Sequence, residues 1–208
     1  MPAPDGSSDH DVRIELATAD DLEAVVDCWV RLAREQRRYG SYVLPEANRE
    51  TMFQTLGAYR VDDGLLVARL EGDSGDERDV EREYGRGVVG FTSFSIERGA
   101  LELEATRGHL SNLYVVPEFR GRGIGTRLLE AVEDALADRG VDAVILEAMA
   151  GNEAARRFYG RAGYVPFRVG MERRLEDDTN DDADADEVLE ADSAVEPADE
   201  GEATADET

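Results

Sequence analysis

The segment Leu113–Ala135, LYVVPEFRGRGIGTRLLEAVEDA, constrains the fold more than any other part of the chain. It opens with apolar residues that favour a strand, and Pro117 ends strand pairing because it lacks a backbone donor. Three glycines then follow within five residues, and from Thr126 onwards the apolar residues recur at helical spacing. The sequence therefore predicts a strand, a glycine-rich turn and an amphipathic helix in direct succession.

The predicted turn has the features of an anion-binding site. Its glycines allow positive φ and carry no Cβ, so that several backbone N–H groups can converge on one ligand. The following helix places the positive end of its dipole at the same point. Arg120 and Arg122 add charge that can meet phosphate oxygens in pairs. A flexible turn with solvated arginines is the simpler alternative, but the strand before and the helix after it favour a phosphate site.

The glycine spacing distinguishes between classes of phosphate site. A P-loop requires a lysine, and the chain contains none. The dinucleotide fingerprint G-x-G-x-x-G also fails, because Thr126 or Leu128 stands where its last glycine belongs. The pattern that fits is R-x-x-G-x-G, from Arg120 through Gly123 to Gly125. It resembles the Q/R-x-x-G-x-G/A motif with which the GNAT superfamily of N-acetyltransferases binds the pyrophosphate of coenzyme A.

A second segment, Asn152–Phe167, strengthens this resemblance. Asn152 stands where its side chain can cap the start of a helix. GNAT enzymes carry the pattern N-x-x-A-x-x-x-Y-x-x-x-G-[FY] after the phosphate turn. The chain matches this pattern at Asn152, Ala155, Tyr159, Gly163 and Tyr164. Two motifs in the family's order are far more specific than either motif alone.

The resemblance implies an α/β (α+β) fold with a mixed central sheet of six or seven strands and helices on both faces. The expected order of elements is β-α-α-β-β-β-α-β-α-β, within residues 12–175, with the last strand or strand pair in Tyr164–Leu175. A solvated loop is expected at Glu71–Arg86, and a short pairing segment near Leu101–Leu103. Residues 1–11 and the acidic segment 176–208 are expected to be disordered, because they hold few large apolar residues.

The resemblance also assigns binding roles by position, with acetyl-CoA as the implied cosubstrate. The backbone amides of Gly121–Thr126 would hold the pyrophosphate, helped by Arg120 and Arg122. Val115 and Val116 would bond the pantetheine and direct an amide at the thioester carbonyl. The cofactor-binding residues implied in this way are Val115, Val116, Arg120, Gly121, Arg122, Gly123, Ile124, Gly125, Thr126, Asn152, Ala155 and Tyr159.

The chemistry implied by the resemblance is direct attack of an amine on a thioester in a ternary complex. Fixed N–H donors stabilise the charge that develops on the carbonyl oxygen. Tyr159 matches the tyrosine thought to protonate the leaving thiolate, although an aromatic residue at this place in a helix is otherwise a core residue. His109 is a candidate general base because histidine titrates near neutral pH, and Glu102 and Glu104 are alternatives. A lone histidine is, however, more often structural.

The sequence defines the acceptor only as an amine. In this superfamily the acceptor site lies between the first two helices and the sheet edge. Tyrosines and glutamates that would suit an amine cation occur in this region of the sequence: Tyr39, Tyr42, Tyr59, Glu35, Glu46 and Glu50. The alternative is that the glutamates simply belong to an acidic surface. An amine-bearing small molecule and a peptide or protein N-terminus both remain open. Two rival functions are a non-catalytic acyl-CoA-binding sensor and an interaction protein that acts through its acidic tail.

Composition argues against several other classes of function. The net charge of −25 argues against nucleic acid as a partner, since affinity for nucleic acid comes from cationic contacts to phosphate. Acid excess without lysine is typical of proteins adapted to a high-salt cytoplasm, which suggests a halophile. Two histidines and one cysteine are too few for a metal cluster or an internal disulfide framework. No membrane span or secretory signal is evident, so we expect a cytoplasmic protein. Members of the family that the chain resembles often dimerise, so a homodimer is also an open expectation.

Overall fold

The structure is a computed structural model that describes residues 11–71, 86–97 and 104–174. Several predictions fall on residues that the structure does not describe: the disorder of residues 1–10 and 176–208, nearly all of the loop Glu71–Arg86, the segment Leu101–Leu103 and the candidate base Glu102. Asp11, which was also expected to be disordered, is instead the first residue of a strand. The chain divides into two compact units, of which the first ends at Tyr164 and the second begins at Val165.

The first unit is built around a mixed sheet with the strand order β1-β2-β3-β4-β5. Neighbours from β1 to β4 are antiparallel, whereas β5 runs parallel to β4. β2 and β3 are buried along almost their whole length, which explains their nearly continuous apolar sequences. The strands are β1 (Asp11–Leu16), β2 (Leu65–Glu71), β3 (Val88–Ile96), β4 (Arg107–Val115) and β5 (Ala143–Leu146).

Helices cover both faces of this sheet. A Cβ on Gly90 of β3 would lie 3.4 Å from Leu128, so this residue faces one helix layer. The next residue, Phe91, pairs with Tyr114, whose hydroxyl lies on the other face and bonds Glu35. Successive strand residues point to opposite faces, so the two helix layers are on opposite sides. The helices are α1 (Leu22–Gln36), α2 (Arg49–Val61), α3 (Ile124–Ala137) and α4 (Glu153–Arg161).

The regular part of α1 is shorter than the sequence predicts. The apolar spacing of Leu22, Val25, Val26, Trp29 and Leu32 predicts a helix over about Asp20–Arg38. In the structure, 3-10 turns occupy both ends of this range, at Ala19–Asp21 and Arg37–Tyr39. The apolar stripe nevertheless packs as predicted, with Val25 and Trp29 buried in the core.

Among the described residues, no helix combines the length and apolarity that a membrane crossing requires.

Within the described residues the sheet has five strands and not the expected six or seven. Within the described part of the second unit, residues 165–174 form neither helix nor strand. Their apolar residues alternate as in a strand, yet Val165, Phe167, Val169 and Met171 are all exposed. Alternation marks which side chains would share a face, but a strand exists only where its backbone finds a hydrogen-bonding partner.

Candidate functional site

Strands β4 and β5 separate at one end of the sheet. β5 pairs with β4 only along Arg107–Leu110, while β4 continues to Val115. The N–H of Val116 donates to the carbonyl of Val89 in β3 at 2.9 Å. Because backbone groups alternate in direction along a strand, the amide of Val115 points away from β3, into the space that β5 has left. We call this space the fork.

The register between β3 and β4 distinguishes Val115 from Val116, although the sequence motif assigns both the same role. The amide of Val116 is used inside the sheet, so it is not a free donor for a ligand. The outward amide at the end of β4 belongs to Val115. The sequence predicts one amide directed at a ligand from the segment Val115–Val116, and Val115 is the residue whose amide is available, because alternate amides of a strand face opposite edges.

The glycine-rich turn, Arg120–Thr126, has an open anion-binding geometry and is called the phosphate turn below. Gly121 and Gly123 adopt φ of 77° and 78°, and a Cβ on either would meet nothing within 4 Å. Gly123 begins α3 without a side-chain cap, and no acidic residue stands in the first helical turn. The first helical bond is donated by Arg127, so the preceding N–H groups are left for a ligand. These features fit a pyrophosphate.

The two arginines of the phosphate turn have different surroundings. Arg120 donates from Nε to the carbonyl of Val115 at 2.8 Å, and its Nη2 contacts both carboxylate oxygens of Glu35 at 3.0 and 2.9 Å. Arg122 instead lies over the ring of Phe119, with Cζ 5.3 Å from the ring centroid. Arg120 is thus engaged by protein groups, which the sequence did not predict.

The second motif packs directly against the phosphate turn. The side-chain oxygen of Asn152 accepts a hydrogen bond from the N–H of Ala155 at 3.1 Å, which confirms the predicted helix cap. On the same helix, the ring of Phe158 lies beside Gly125, 3.6 Å from where a Cβ would stand. A methyl group of Leu113 is 3.9 Å from the same point. The two motifs and the end of β4 therefore meet at one place.

Tyr159 lies within an aromatic cluster on α4. Its ring centroid is 5.1 Å from that of Phe158 and 5.7 Å from that of Tyr164, both in edge-to-face geometry. Burial raises the pKa of Tyr159 to about 12. The phenol is therefore protonated at neutral pH, as a proton donor must be before it acts.

His109 is not brought to the fork. It lies on β4 six residues before Val115, a separation of about 20 Å at strand rise. Its Nδ1 is 3.0 Å from the hydroxyl of Ser111, which is in turn 2.8 Å from the hydroxyl of Tyr59 in α2. Ser111 therefore links His109 to Tyr59 through hydrogen bonds. The alternative base Glu104 is exposed.

The residues expected to line an acceptor site are only partly assembled. Tyr39 packs 3.7 Å from the Cβ position of Gly151, so the end of α1 reaches the β5–α4 turn. Tyr42, by contrast, is largely exposed. Glu46 pairs with Arg34 at 2.6 Å, and Glu50 accepts from Gln54 at 3.0 Å. These glutamates have local partners on the surface. No group of ligating side chains among the described residues is arranged to hold a metal ion.

Sequence reasoning missed Tyr114 and Ser111, two further polar contributors from β4. Tyr114 donates to Glu35 at 3.3 Å and stacks under Arg120, with the ring centroid 5.4 Å from Cζ. Burial, the first cause, and the nearby Glu35 carboxylate both raise the pKa of Tyr114. Alternation along β4 could have put Tyr114 on the α1 face, but its partner is 79 residues away in sequence.

A sequence model of the acetyltransferase (GNAT) family matches residues 29–164. N-alpha-acetyltransferase 30 of Schizosaccharomyces pombe is 40% identical over 62 residues, which cover 30% of this chain and 41% of that protein. An uncharacterized N-acetyltransferase of Archaeoglobus fulgidus is 28% identical over 148 residues, covering 71% of this chain and 89% of that protein. The chain thus spans less than half the length of the first of these relatives.

Solved structures share the fold. A GCN5-related N-acetyltransferase from Ralstonia eutropha superposes with a TM-score of 0.60 at 23% identity, over 79% of this chain and 99% of that one. A chain of the NatC complex bound to Gag peptide and CoA gives a TM-score of 0.57 at 16% identity, over 76% of this chain and 87% of that one. At these identities the likeness concerns the fold alone.

Proposed function

The chain belongs to the GNAT family of acetyltransferases, and we propose that it transfers an acetyl group from acetyl-CoA to a primary amine by direct attack within a ternary complex. The observation that carries this proposal is the meeting of the fork and the phosphate turn. An uncapped helix start with two left-handed glycines lies next to the outward amide of Val115. One elongated thioester with a pyrophosphate can engage both features at once.

Each end of acetyl-CoA has its own donors in this proposal. The pyrophosphate accepts from the backbone amides of Gly121–Thr126, with Arg122 as the nearby cation. The pantetheine arm enters the fork along the end of β4, where the amide of Val115 meets the thioester oxygen. Asn152 and Ala155, at the start of α4, border the arm on the side that β5 has left. These donors are fixed by the fold before the ligand arrives, which favours catalysis because no reorganisation is needed.

The reaction balances with groups of this chain and water. The amine nitrogen forms a bond to the acetyl carbon, and the amide of Val115 stabilises the negative charge on oxygen. The carbon–sulfur bond then breaks, and Tyr159 returns a proton to the thiolate, giving an acetylated amine and CoA. The proton lost by the amine leaves towards Ser111 and His109, the hydrogen-bonded pair that leads away from the fork.

The acceptor that we propose first is the α-amino group of a peptide. This choice is supported by the name of the Schizosaccharomyces pombe relative and by the peptide in the NatC structure. Glu46 argues against a site built for a polycation, because its charge is already paired with Arg34. We also propose, from composition, a cytoplasmic protein adapted to high salt.

The proposal is tested by thiol release from acetyl-CoA in molar KCl, with unrelated peptides and with small amines as acceptors. We expect release that depends on a free amine and stops when the peptide N-terminus is blocked. Binding of acetyl-CoA without release for any amine would favour the acyl-CoA sensor instead. Failure of a folded sample to bind acetyl-CoA would overturn the proposal.

A further inference from the structure

Arg120 stands first in the phosphate-binding motif, yet its contacts lie within the protein. Nε donates to the carbonyl of Val115 at 2.8 Å, and Nη2 contacts both oxygens of Glu35 at 3.0 and 2.9 Å. The guanidinium also lies over the ring of Tyr114. Two of its three nitrogens are thus directed at the end of β4 and at α1.

Glu35 is the other centre of this cluster. Besides Arg120, its carboxylate accepts from the hydroxyl of Tyr114 and from Nη2 of Arg38, each at 3.3 Å. The side chains of Arg120 and Glu35 are 42% and 26% exposed. An ion pair this accessible to water contributes little to stability. We therefore ask which backbone groups the pair holds in position.

The contacts of Arg120 fix the peptide between Val115 and Val116, at the end of β4. Arg120 holds the carbonyl of Val115, while the N–H of the same peptide, from Val116, is held by Val89. Because both polar groups of the Val115–Val116 peptide are held, the backbone of Val115 has little freedom to rotate. Val115 is also the residue that supplies the outward amide. Through Glu35 the same contact reaches α1, and the 3-10 turn that follows α1 places Tyr39 against the β5–α4 turn.

We propose that Arg120 and Glu35 form a clamp that orients the amide of Val115, and that Arg120 is a positioning residue and not a phosphate ligand. This inference rests on the proposed acetyl transfer. The clamp joins the helix on the acceptor side to the strand that receives the thioester. Its loss misplaces the oxyanion donor and slows the chemical step, whether or not the acyl donor carries a pyrophosphate.

The test compares two acyl donors. Acetyl-CoA and S-acetylpantetheine carry the same thioester, but only acetyl-CoA has the pyrophosphate and nucleotide. We expect Arg120→Met to lower kcat/KM for both donors by the same factor, on the order of tenfold to a hundredfold. Glu35→Gln should reproduce this loss, and the double variant should be no worse than Arg120→Met alone, because both residues serve one contact.

Arg122→Met is the matched control, because Arg122 is the proposed phosphate-side cation. It should lower kcat/KM for acetyl-CoA and leave S-acetylpantetheine unchanged. The clamp is overturned if Arg120→Met behaves like Arg122→Met, or if Glu35→Gln has wild-type kcat/KM. Circular dichroism verifies folding, and Arg120→Lys, which cannot reach both partners at once, replaces Arg120→Met if that variant does not fold. Absence of turnover in the wild type would instead refute the proposed function itself.

Discussion

Phe158 of α4 lies against Gly125 of the phosphate turn, with its Cζ atom 3.6 Å from the position that a Cβ on residue 125 would occupy. A distance of this size is ordinary van der Waals contact, so there is room for one methyl group and no more. The contact packs α4 against the start of α3, and Tyr159 is the next residue of the same helix. The packing of one aromatic ring on one glycine thus joins the two sequence motifs.

The first prediction concerns this contact. Gly125→Ala should keep acetyl-CoA affinity and raise stability slightly, because Gly125 has helical φ and alanine is the better helix former. Gly125→Leu should displace Phe158 and weaken acetyl-CoA binding strongly. Calorimetric titration of acetyl-CoA into both variants checks the expectation. Equal affinity in the leucine variant would show that α4 does not close the site.

The second prediction concerns the proton donor. Tyr159→Phe removes the hydroxyl but keeps the aromatic cluster, so kcat should fall on the order of a hundredfold while acetyl-CoA affinity stays the same. Since burial raises the pKa of Tyr159 to about 12, its own deprotonation should limit the rate only above ordinary assay pH.

Tyr164→Phe is the matched control for this variant. It loses a hydrogen bond of 2.9 Å to Glu133 but no group assigned to the chemistry. We expect wild-type kcat and a small loss of stability, about 1 kcal/mol. Steady-state kinetics distinguish the two tyrosines, and an equal fall in kcat for both would remove the donor role from Tyr159.

The third prediction concerns the route by which the amine loses its proton. His109→Ala and Ser111→Ala should both lower kcat at neutral pH and recover at high pH, where the amine is already deprotonated. The reason is that the two side chains form one hydrogen-bonded pair, 3.0 Å apart. A pH–rate profile measures this directly. A profile that His109→Ala leaves unchanged would exclude the histidine and point to water as the proton acceptor.

Features that depend on neighbouring residues could be predicted from the sequence. The left-handed conformation of Gly123 follows from the glycine spacing, and the cap by Asn152 follows from its place three residues before Ala155. In the same way the buried stripe of α1 follows from apolar spacing. In each case the interacting groups lie within one or two helical turns, so the pattern itself contains the partner.

Features that depend on distant partners could not be predicted. Arg120 was expected on the phosphate, but its partner Glu35 is 85 residues away and only the packing of α1 brings it near. The distinction between Val115 and Val116 depends on register with β3, which sequence spacing does not determine. The alternating segment after Tyr164 suggested a further strand, yet alternation supplies no pairing partner.

A buried carboxylate holds the first helix to the sheet, away from the fork. Asp21 is fully buried, and it accepts from the amide and hydroxyl of Thr18 at 2.8 and 2.7 Å. Its other oxygen accepts from Arg69 at 2.9 Å and Arg86 at 3.0 Å. Burial alone would raise the pKa of Asp21, but the donors from Thr18 and Arg69 outweigh it and hold the pKa of this carboxyl below its ordinary value.

The fourth prediction follows from the sign of this shift. A carboxylate with a lowered folded-state pKa stabilises the protein above its unfolded pKa, and the contribution is lost as pH falls through the folded value. Asp21→Asn should therefore cost about 3 kcal/mol at neutral pH, with the difference from wild type shrinking below about pH 4. Asp20→Asn, at an exposed neighbour, should change stability by less than about 0.5 kcal/mol. Denaturant unfolding at neutral pH and below about pH 4 measures the difference in free energy of unfolding between wild type and Asp21→Asn. A difference that does not change with pH would contradict the prediction.

The most direct test of the account compares two glycines at opposite ends of α3. Gly123 and Gly140 have φ of 78° and 74°, and neither would place a Cβ within 4 Å of another group. Alanine at either position should therefore cost a similar free energy of unfolding, about 1 kcal/mol, from left-handed strain. Only Gly123 lies in the phosphate turn, while Gly140 follows the far end of the helix.

The measurement is calorimetric titration of acetyl-CoA into wild type, Gly123→Ala and Gly140→Ala in molar KCl, on samples shown to be folded. We expect Gly123→Ala to weaken binding at least tenfold, whereas Gly140→Ala should bind acetyl-CoA as the wild type does. Equal affinity in all three proteins would show that the start of α3 does not hold the pyrophosphate of acetyl-CoA.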